Sequence, residues 1–199
     1  MNIIENEDPI ALFKEWLGEA EASESLNPNA MALATTTAGG RPSVRMVLLK
    51  DVDERGFVFY SNAESRKGLE IEANAFASLC FYWKSLRRQV RIEGAVTPVS
   101  NEEADAYFES RDRGARIGAW ASAQSRPMDG RFDLEKSVAK YAAKFNIGPV
   151  PRPDYWVGYR VAPDSMEFWV ERKSRLHDRW AYHLNVDGGD GWTVERLFP

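Results

Sequence analysis

Two adjacent cations, Arg66 and Lys67, stand where an apolar strand pattern ending near Ser61 gives way to a short helical pattern over about 63–74. Cations in the first turn of a helix are unfavourable because the helix dipole is positive there. A bound anion would remove this conflict, since free backbone N–H groups, the Ser61 hydroxyl and both cations could hold it. The segment therefore predicts a phosphate-binding site, the alternative being two side chains that extend into solvent.

Arg45 and Lys50 stand near the two ends of the most apolar strand pattern in the chain, and no carboxylate lies between them. A charge that is buried without a partner costs several kcal/mol. We therefore expect these side chains either to reach water at a strand edge or to face bound anions. Their opposite parity favours two separate anionic groups. This interpretation fails if the protein's own carboxylates neutralise the guanidinium groups.

A third concentration of polar groups lies near the end of the chain, where Trp169 is followed by Arg175, His177 and Arg179. On a strand the last three would share one face, which either converges on a ligand or is a solvated edge. Gln89 lies on the polar face of another strand pattern, where its amide could hydrogen-bond a flat heterocycle.

The composition excludes several kinds of site. The 199 residues carry a net charge of −4, which argues against nucleic-acid binding, although 18 of the cations are Arg and only 8 are Lys. One cysteine, Cys80, and two histidines allow neither an intrachain disulfide nor a Cys/His zinc site, and no metal is predicted. No glycine-rich phosphate loop and no G-x-S-x-G motif occurs.

The lack of a secretory signal and of an apolar run of about 18 residues predicts a cytoplasmic protein without membrane contact.

Strand patterns cluster and helical patterns are inserted between them, which predicts a mainly β fold with helical decoration rather than alternating βαβ units. Asp8-Pro9, and Ser100 with Glu103, are patterns typical of helix starts. The predicted helices cover about 9–22, 63–74, 100–110, 113–121 and 131–146. The predicted strands cover about 30–37, 43–52, 57–61, 76–83, 88–99, 155–162, 165–171, 178–184 and 191–196.

The segments 44–50 and 76–83 are apolar at both strand parities. An antiparallel strand with one face in water should alternate, so both faces of these strands must be covered. The second cover is either a helix or a partner subunit, and we expect a homodimer.

Taken in order, these residues resemble one known family, the pyridoxamine 5′-phosphate oxidases. The resemblance covers nearly the whole chain from about residue 10. It rests on Arg45-Met-Val-Leu-Leu-Lys50, Phe59-Tyr-Ser-Asn62 with Ser65-Arg-Lys67, Arg88-Gln-Val90, Ile117-Gly-Ala-Trp120, Gln124-Ser125, and Phe168-Trp169 with Arg175-Leu-His-Asp-Arg179. It implies one FMN-binding split β-barrel domain over 1–199, homodimeric, with FMN at the subunit interface. In that domain 1–25 would be the N-terminal helix region and 155–199 the strands that complete the substrate site.

The resemblance also implies roles for individual residues. The expected FMN contacts are Arg45, Met46, Val47, Leu48, Leu49, Lys50, Tyr60, Ser61, Arg66, Lys67, Gln89, Gln124, Ser125, Trp169 and Arg179. The expected substrate contacts are Lys50, Tyr107, Arg111, Arg175, Leu176 and His177. The first three of these would hold the substrate phosphate, and Arg175 and His177 would be catalytic and clamp the pyridine ring.

The implied reaction is the FMN-dependent oxidation of pyridoxine 5′-phosphate or pyridoxamine 5′-phosphate to pyridoxal 5′-phosphate, in vitamin B6 biosynthesis and salvage. O2 would be the electron acceptor and H2O2 a product, and the amine would also release ammonia. Two phosphates, each with a charge of about −2, need about four cations. Arg45, Arg66 and Lys67 would serve FMN, and Lys50 and Arg111 would serve the substrate.

Two positions depart from the family pattern. Ala115 stands where a serine is frequent in the substrate-phosphate loop, and Asn27 stands where an acidic residue is common. The alternatives to the oxidase are a split-barrel flavin reductase and a non-catalytic protein that binds flavin or a B6 phosphate.

Overall fold

The computed structural model describes residues 8–185 and 191–199. In these two ranges the chain forms five α-helices and nine β-strands. The helices are α1 (Pro9–Ser23), α2 (Arg66–Ala73), α3 (Asn101–Ser110), α4 (Arg113–Ala121) and α5 (Asp133–Lys144). The strands are β1 (Ala30–Thr36), β2 (Pro42–Leu48), β3 (Asp51–Asp53), β4 (Gly56–Asn62), β5 (Phe76–Trp83), β6 (Arg88–Pro98), β7 (Trp156–Val170), β8 (Asp178–Leu184) and β9 (Trp192–Arg196).

The strands form one antiparallel sheet in the order β2-β1-β5-β6-β7-β4-β3, with β8 paired to both β7 and β9. β7 changes partner along its length, because 156–161 pairs with β4 and 165–170 pairs with β8. The register of β6 against β7 shifts between Glu93 and Gly94. Such a bulge bends a sheet, and the sheet here curls into a split half-barrel. The predicted mainly β fold with helical decoration is confirmed.

The bulge also explains one wrong prediction. We expected two strands over 155–162 and 165–171, whereas the structure has the single strand β7. Pro163 lies opposite Gly94, at the point where the register shifts and a ladder hydrogen bond is not required. A Cβ atom at Gly94 would lie 1.9 Å from the carbonyl oxygen of Ala162, so the close approach of the two strands requires glycine.

Three helix starts confirm the local sequence patterns. The Asp8 side chain accepts a hydrogen bond from the backbone N–H of Ile10 at the start of α1. Ser100 accepts one from the backbone N–H of Glu103 at the start of α3. Ser65 caps α2, so Arg66 and Lys67 do lie in the first helical turn.

The predicted strand over 43–52 is wrong in its second half. β2 ends at Leu48, and the next two backbone N–H groups donate to two other partners, Asn29 and Val58. The chain then forms the short strand β3, which pairs antiparallel with β4. The apolar pattern continues across this change of partner because Leu49 remains buried, which is why periodicity alone does not reveal it.

The core lies between the inner face of the sheet and α1, whose Phe13 and Trp16 pack edge-on against Phe57 and Phe168. Among the described residues none covers the outer face of the edge strand β2 in this way, and Val44 and Met46 are 68% and 65% exposed. Adjacent exposed apolar side chains on an edge strand are typical of an interaction surface. No helix in the described ranges is long and apolar enough to cross a membrane.

Candidate active site

A cavity of about 500 Å³ lies where β2, β4 and the helices α2, α3 and α4 meet. Ten of the predicted site residues line it: Met46, Val47, Leu48, Lys50, Tyr60, Ser61, Lys67, Tyr107, Arg111 and Gln124. Asn62, Ala115 and Trp156 also line it. The structure therefore brings together residues as far apart in the sequence as Met46 and Trp156.

Lys67 lies on one wall of this cavity and is buried. Its Nζ donates to Ser61 Oγ at 2.8 Å, to Ser65 Oγ at 2.9 Å and to Gln124 Oε1 at 2.6 Å. Burial, and then the positive charge of Arg45, lowers the pKa of Lys67 to about 8. In the described part of the chain no carboxylate contacts this ammonium, so the site favours an anion.

The turn before α2 fits closely against the helix. A Cβ atom at Gly68 would lie 2.1 Å from the carbonyl oxygen of Ala63, so only glycine allows the 63–65 turn to pack here. This contact places the Ser65 hydroxyl and the first-turn N–H groups beside Lys67. Sequence reasoning missed Gly68, because a glycine inside a helical pattern does not reveal what its missing side chain leaves room for.

A stack of aromatic rings forms another wall. The rings of Tyr60 and Tyr107 are parallel, with centroids 4.1 Å apart, and Trp156 stacks on Tyr60 at 5.0 Å. Lys50 Nζ lies 6.0 Å from the Tyr107 ring centroid, and Arg111 Cζ lies 5.1 Å from that of Trp156. The stack therefore holds two cations at the cavity. Sequence reasoning missed Trp156, which looked like an ordinary apolar residue at a strand start.

Arg111 is incompletely satisfied. Its Nη1 is buried and has no hydrogen-bond partner among the residues that the structure describes, and burial lowers the pKa of this guanidinium. Neither Arg111 nor Lys50 forms an ion pair with a carboxylate in the ranges that the structure describes. A buried guanidinium with an unpaired donor is strongly stabilised by an anion.

Arg45 and Arg66 differ from this pattern, and here the sequence interpretation needs correction. Glu70 of α2 pairs with both, at 3.2 Å from Arg45 Nη2 and 2.9 Å from Arg66 Nε. The sequence between Arg45 and Lys50 has no carboxylate, but folding brings one from 25 positions away. The three cations Arg45, Arg66 and Lys67 thus carry a net charge of about +2 after Glu70 is counted.

A second group of predicted residues lies outside this cavity. Gln89, Trp169 and Arg179 lie side by side across β6, β7 and β8. Arg179 forms a two-pronged ion pair with Glu167 at 3.0 Å. The His177 ring lies 4.6 Å from that of Trp169.

Arg175, His177 and Arg179 would share one face only on a single strand, and the structure does not place all three on one. A 3₁₀ turn covers Lys173–Arg175, and β8 begins only at Asp178. Ser174 and Arg175 have positive φ angles of 58° and 62°, so the chain turns back before the strand. Asp178 fixes the end of this turn by pairing with Arg172 and Arg196, both at 2.6 Å.

Within one chain the two groups remain separate. Leu176 and His177 line a different cavity of about 370 Å³, together with the C-terminal residues 196–199. Arg175 is exposed and lines neither cavity. The other predicted contacts that do not line the first cavity are Arg45, Leu49, Arg66, Gln89, Ser125, Trp169 and Arg179.

The comparisons with known proteins cover the segments that carry both groups. Residues 18–144 match the family model described as pyridoxamine 5′-phosphate oxidase. The chain belongs to this family. Residues 156–199 match a second model, described as the pyridoxine 5′-phosphate oxidase C-terminal dimerisation region. That region carries Trp169, Arg175, His177 and Arg179, and its presence supports a homodimer.

Individual relatives match this chain over nearly its whole length. A pyridoxine/pyridoxamine 5′-phosphate oxidase of Rhodospirillum rubrum is 59% identical over 204 residues and covers 100% of both chains. One from Maricaulis maris is 60% identical and covers 99% of this chain and 88% of its own. The crystal structure of PhzG from Burkholderia lata, in complex with tetrahydrophenazine-1-carboxylic acid, superposes with a TM-score of 0.90 at 34% identity, over 98% of this chain and 94% of that one.

Proposed function

We propose that this chain is an FMN-dependent oxidase that converts pyridoxine 5′-phosphate and pyridoxamine 5′-phosphate to pyridoxal 5′-phosphate. The alcohol and O2 give the aldehyde and H2O2, and the amine, O2 and water give the aldehyde, ammonia and H2O2. The observation that carries the proposal is one cavity lined by two cationic positions, Lys67 and Arg111, which have no carboxylate partner in the described chain. The family membership selects the reaction.

The cofactor phosphate would bind at the start of α2. Lys67, Ser61, Ser65 and Gln124 already form one hydrogen-bonded cluster there, and a helix start adds free N–H groups. One terminal phosphate fits this single cluster, which favours FMN among flavins. When bound, the flavin ring supplies the two-electron acceptor for the substrate carbon.

The substrate phosphate would bind at Lys50, Tyr107 and Arg111. Both cations lie beside the aromatic stack, and Arg111 Nη1, which has no partner among the described residues, can donate a hydrogen bond to a phosphate oxygen. Ala115 lines the same cavity and offers no hydroxyl, so the cations carry this site.

The second copy would supply the residues that hold the pyridine ring. We propose that Arg175 and His177 of one chain reach the cavity of the other, where they contact the substrate and hold its reacting carbon near the flavin. The exposed apolar face of β2 and the dimerisation region support this assembly. O2 as acceptor and a cytoplasmic location belong to the same proposal.

Turnover tests the proposed function directly. Purified protein with FMN, air and pyridoxine 5′-phosphate is expected to form pyridoxal 5′-phosphate and H2O2 in equal amounts. A yellow protein that forms neither product would indicate a non-catalytic binding protein. Oxidation of NADH without oxidation of the B6 phosphates would indicate a flavin reductase, and either result would refute the proposal.

FMN binding is expected to weaken above about pH 8. The phosphate needs the charged form of Lys67, whose pKa burial lowers from 10.5 to about 8 in the protein without ligand. Bound phosphate would raise this pKa again, so binding takes up a proton at high pH and the Kd rises by at most about tenfold per pH unit above pH 8. Fluorescence titration of the apoprotein with FMN from about pH 7 to about pH 9.5 measures the effect. Lys67→Arg stays charged and should remove the rise, whereas a flat profile for the unmodified protein contradicts this role of Lys67.

Arg160 is expected to control substrate affinity through α3. It is buried and binds Asp53 Oδ1 at 2.5 Å and Glu103 Oε1 at 2.8 Å, thereby holding the helix that carries Tyr107. Arg160→Met should raise the KM for pyridoxine 5′-phosphate about tenfold, with kcat and the Kd for FMN within about twofold, because α3 shifts while the start of α2 does not.

Arg55→Met is the matched control for this change. Arg55 contacts the same two carboxylates, but its side chain is 56% exposed, so its ion pairs are weak. Steady-state kinetics of R160M and R55M measure the KM and kcat for pyridoxine 5′-phosphate in both variants. An equal effect of the two substitutions on KM would show that Arg160 does not position α3.

A further inference from the structure

Glu70 is a carboxylate of α2 whose side chain is only 5% exposed. Its Oε2 accepts hydrogen bonds from Thr35 Oγ1 and Ser43 Oγ, both at 2.5 Å, and from Arg45 Nη2 at 3.2 Å. Its Oε1 accepts a hydrogen bond from Arg66 Nε at 2.9 Å. One buried carboxylate thus connects β1, β2 and the first turn of α2.

A carboxylate so close to an anion site opposes anion binding by electrostatic repulsion, so its presence needs a physical reason. Burial alone would raise the pKa of Glu70, but the hydrogen bonds from its four donors outweigh burial and lower the pKa to about 2. The group is therefore ionised at neutral pH. Arg45 is also near enough to Lys67 to help lower the pKa of that lysine, so the same cluster reaches the proposed phosphate position.

The contacts show what the carboxylate does for the two arginines. Arg66 is 59% exposed and would otherwise sample many rotamers. Arg45 lies on β2 and also donates hydrogen bonds to Leu33, Thr35 and Ser43, and Glu70 is the group that joins it to α2. An arginine that is already held in place loses less conformational freedom when a ligand binds. Because Glu70 neutralises one of three cations, the cluster keeps a net charge of about +2, which matches a phosphate of about −2.

We propose that Glu70 is a positioning residue for the cofactor phosphate, which holds the guanidinium groups of Arg45 and Arg66 ready before the phosphate binds. This inference rests on the proposed FMN site. It predicts that the hydrogen-bond acceptor at position 70 matters for phosphate recognition and much less for the flavin ring.

Two variants of equal charge isolate this effect. Glu70→Gln keeps an acceptor oxygen, and Glu70→Ala removes it. Titration of each apoprotein by flavin fluorescence should give a Kd for FMN at least about tenfold higher for E70A than for E70Q. The Kd for riboflavin, which has no phosphate, should differ by less than about threefold between them. Glu72→Ala removes an exposed carboxylate from the same helix and should leave both Kd values unchanged.

If circular dichroism shows that E70A does not fold, a third variant tests the same role of Glu70. Glu70→Asp keeps the charge but is one methylene shorter, so it cannot reach Arg66 and the β1–β2 hydroxyls together. E70D should bind FMN about tenfold more weakly than the unmodified protein.

The outcomes separate this inference from the proposed function. If the unmodified protein binds FMN but E70A matches E70Q and E70D matches the unmodified protein, the positioning role is refuted and the oxidase proposal stands. If the losses are the same for FMN and riboflavin, Glu70 is only structural and the inference also fails. If the unmodified protein binds no FMN, both proposals fail together.

Discussion

Replacing Lys67 by methionine is expected to weaken FMN binding by about 100-fold or more, since the phosphate would lose the nearby positive charge and the charge-assisted hydrogen bonds that Lys67 can make in exchange for those to its present partners. Methionine fills the space of the lysine stem but cannot donate. The Lys67 ammonium is buried and its pKa is lowered to about 8, so the charge is costly in the apoprotein. The Tm of the FMN-free variant should therefore be unchanged or higher.

Weaker FMN binding without a lower Tm distinguishes a lost phosphate contact from a damaged fold. The measurements are the Kd by fluorescence titration and the Tm of the apoprotein by calorimetry. Lys84→Met, at an exposed lysine after β5, is the control and should change neither value. A K67M protein that binds FMN as tightly as the unmodified protein would contradict the placement of the cofactor phosphate at the start of α2.

Replacing Arg111 by methionine is expected to raise the KM for pyridoxine 5′-phosphate by about 100-fold. The Nη1 group of Arg111 is buried and finds no partner in residues 8–185 and 191–199, and burial lowers the pKa of the guanidinium, so its interaction with a phosphate would be strong. The Kd for FMN should stay within about twofold, because the cofactor phosphate is proposed to bind other residues, at the start of α2.

Pyridoxine without its phosphate gives a second test of the same variant. Slow turnover of this poor substrate should be nearly equal in the unmodified and R111M proteins, since neither can use a phosphate contact. Arg131→Met, at an exposed arginine outside the cavity, controls for the loss of a positive charge. If the KM of R111M for the phosphorylated substrate is unchanged, the substrate phosphate does not bind at Arg111.

The sequence predicted features that depend on neighbouring residues. The caps Asp8 and Ser100 each bind a backbone N–H two or three positions away, so a short window contains both partners. The same is true of Arg66 and Lys67 in the first turn of α2, whose position at a helix start followed from the pattern alone.

Features that depend on distant residues were not predictable in this way. The Arg45–Glu70 pair joins β2 to α2, and the Tyr60–Tyr107–Trp156 stack joins three elements. The bulge that keeps β7 continuous depends on Gly94 of another strand. Periodicity describes one strand at a time, so it places residues on a face but does not identify the side chains that meet them.

The turn before β8 shows a further limit. Arg175 and His177 alternate with Leu176 and Asp178 as a strand would require, yet the structure has a 3₁₀ turn with positive φ angles at Ser174 and Arg175. No glycine or proline marks this turn in the sequence. Its stability comes from Asp178, whose two arginine partners lie before and after it in the chain.

The central claim is that residues which lie apart in one chain complete one active site across two chains. On this proposal K67M would lose the contact to the cofactor phosphate, and Arg175→Ala would lose the contact to the pyridine ring. The two variants can be co-expressed with different affinity tags, and the mixed dimer purified through both tags. Each mixed dimer would contain one intact site and one doubly defective site, so it should oxidise pyridoxine 5′-phosphate at about half the rate of the unmodified dimer. A mixed dimer no more active than its two parents would contradict the claim.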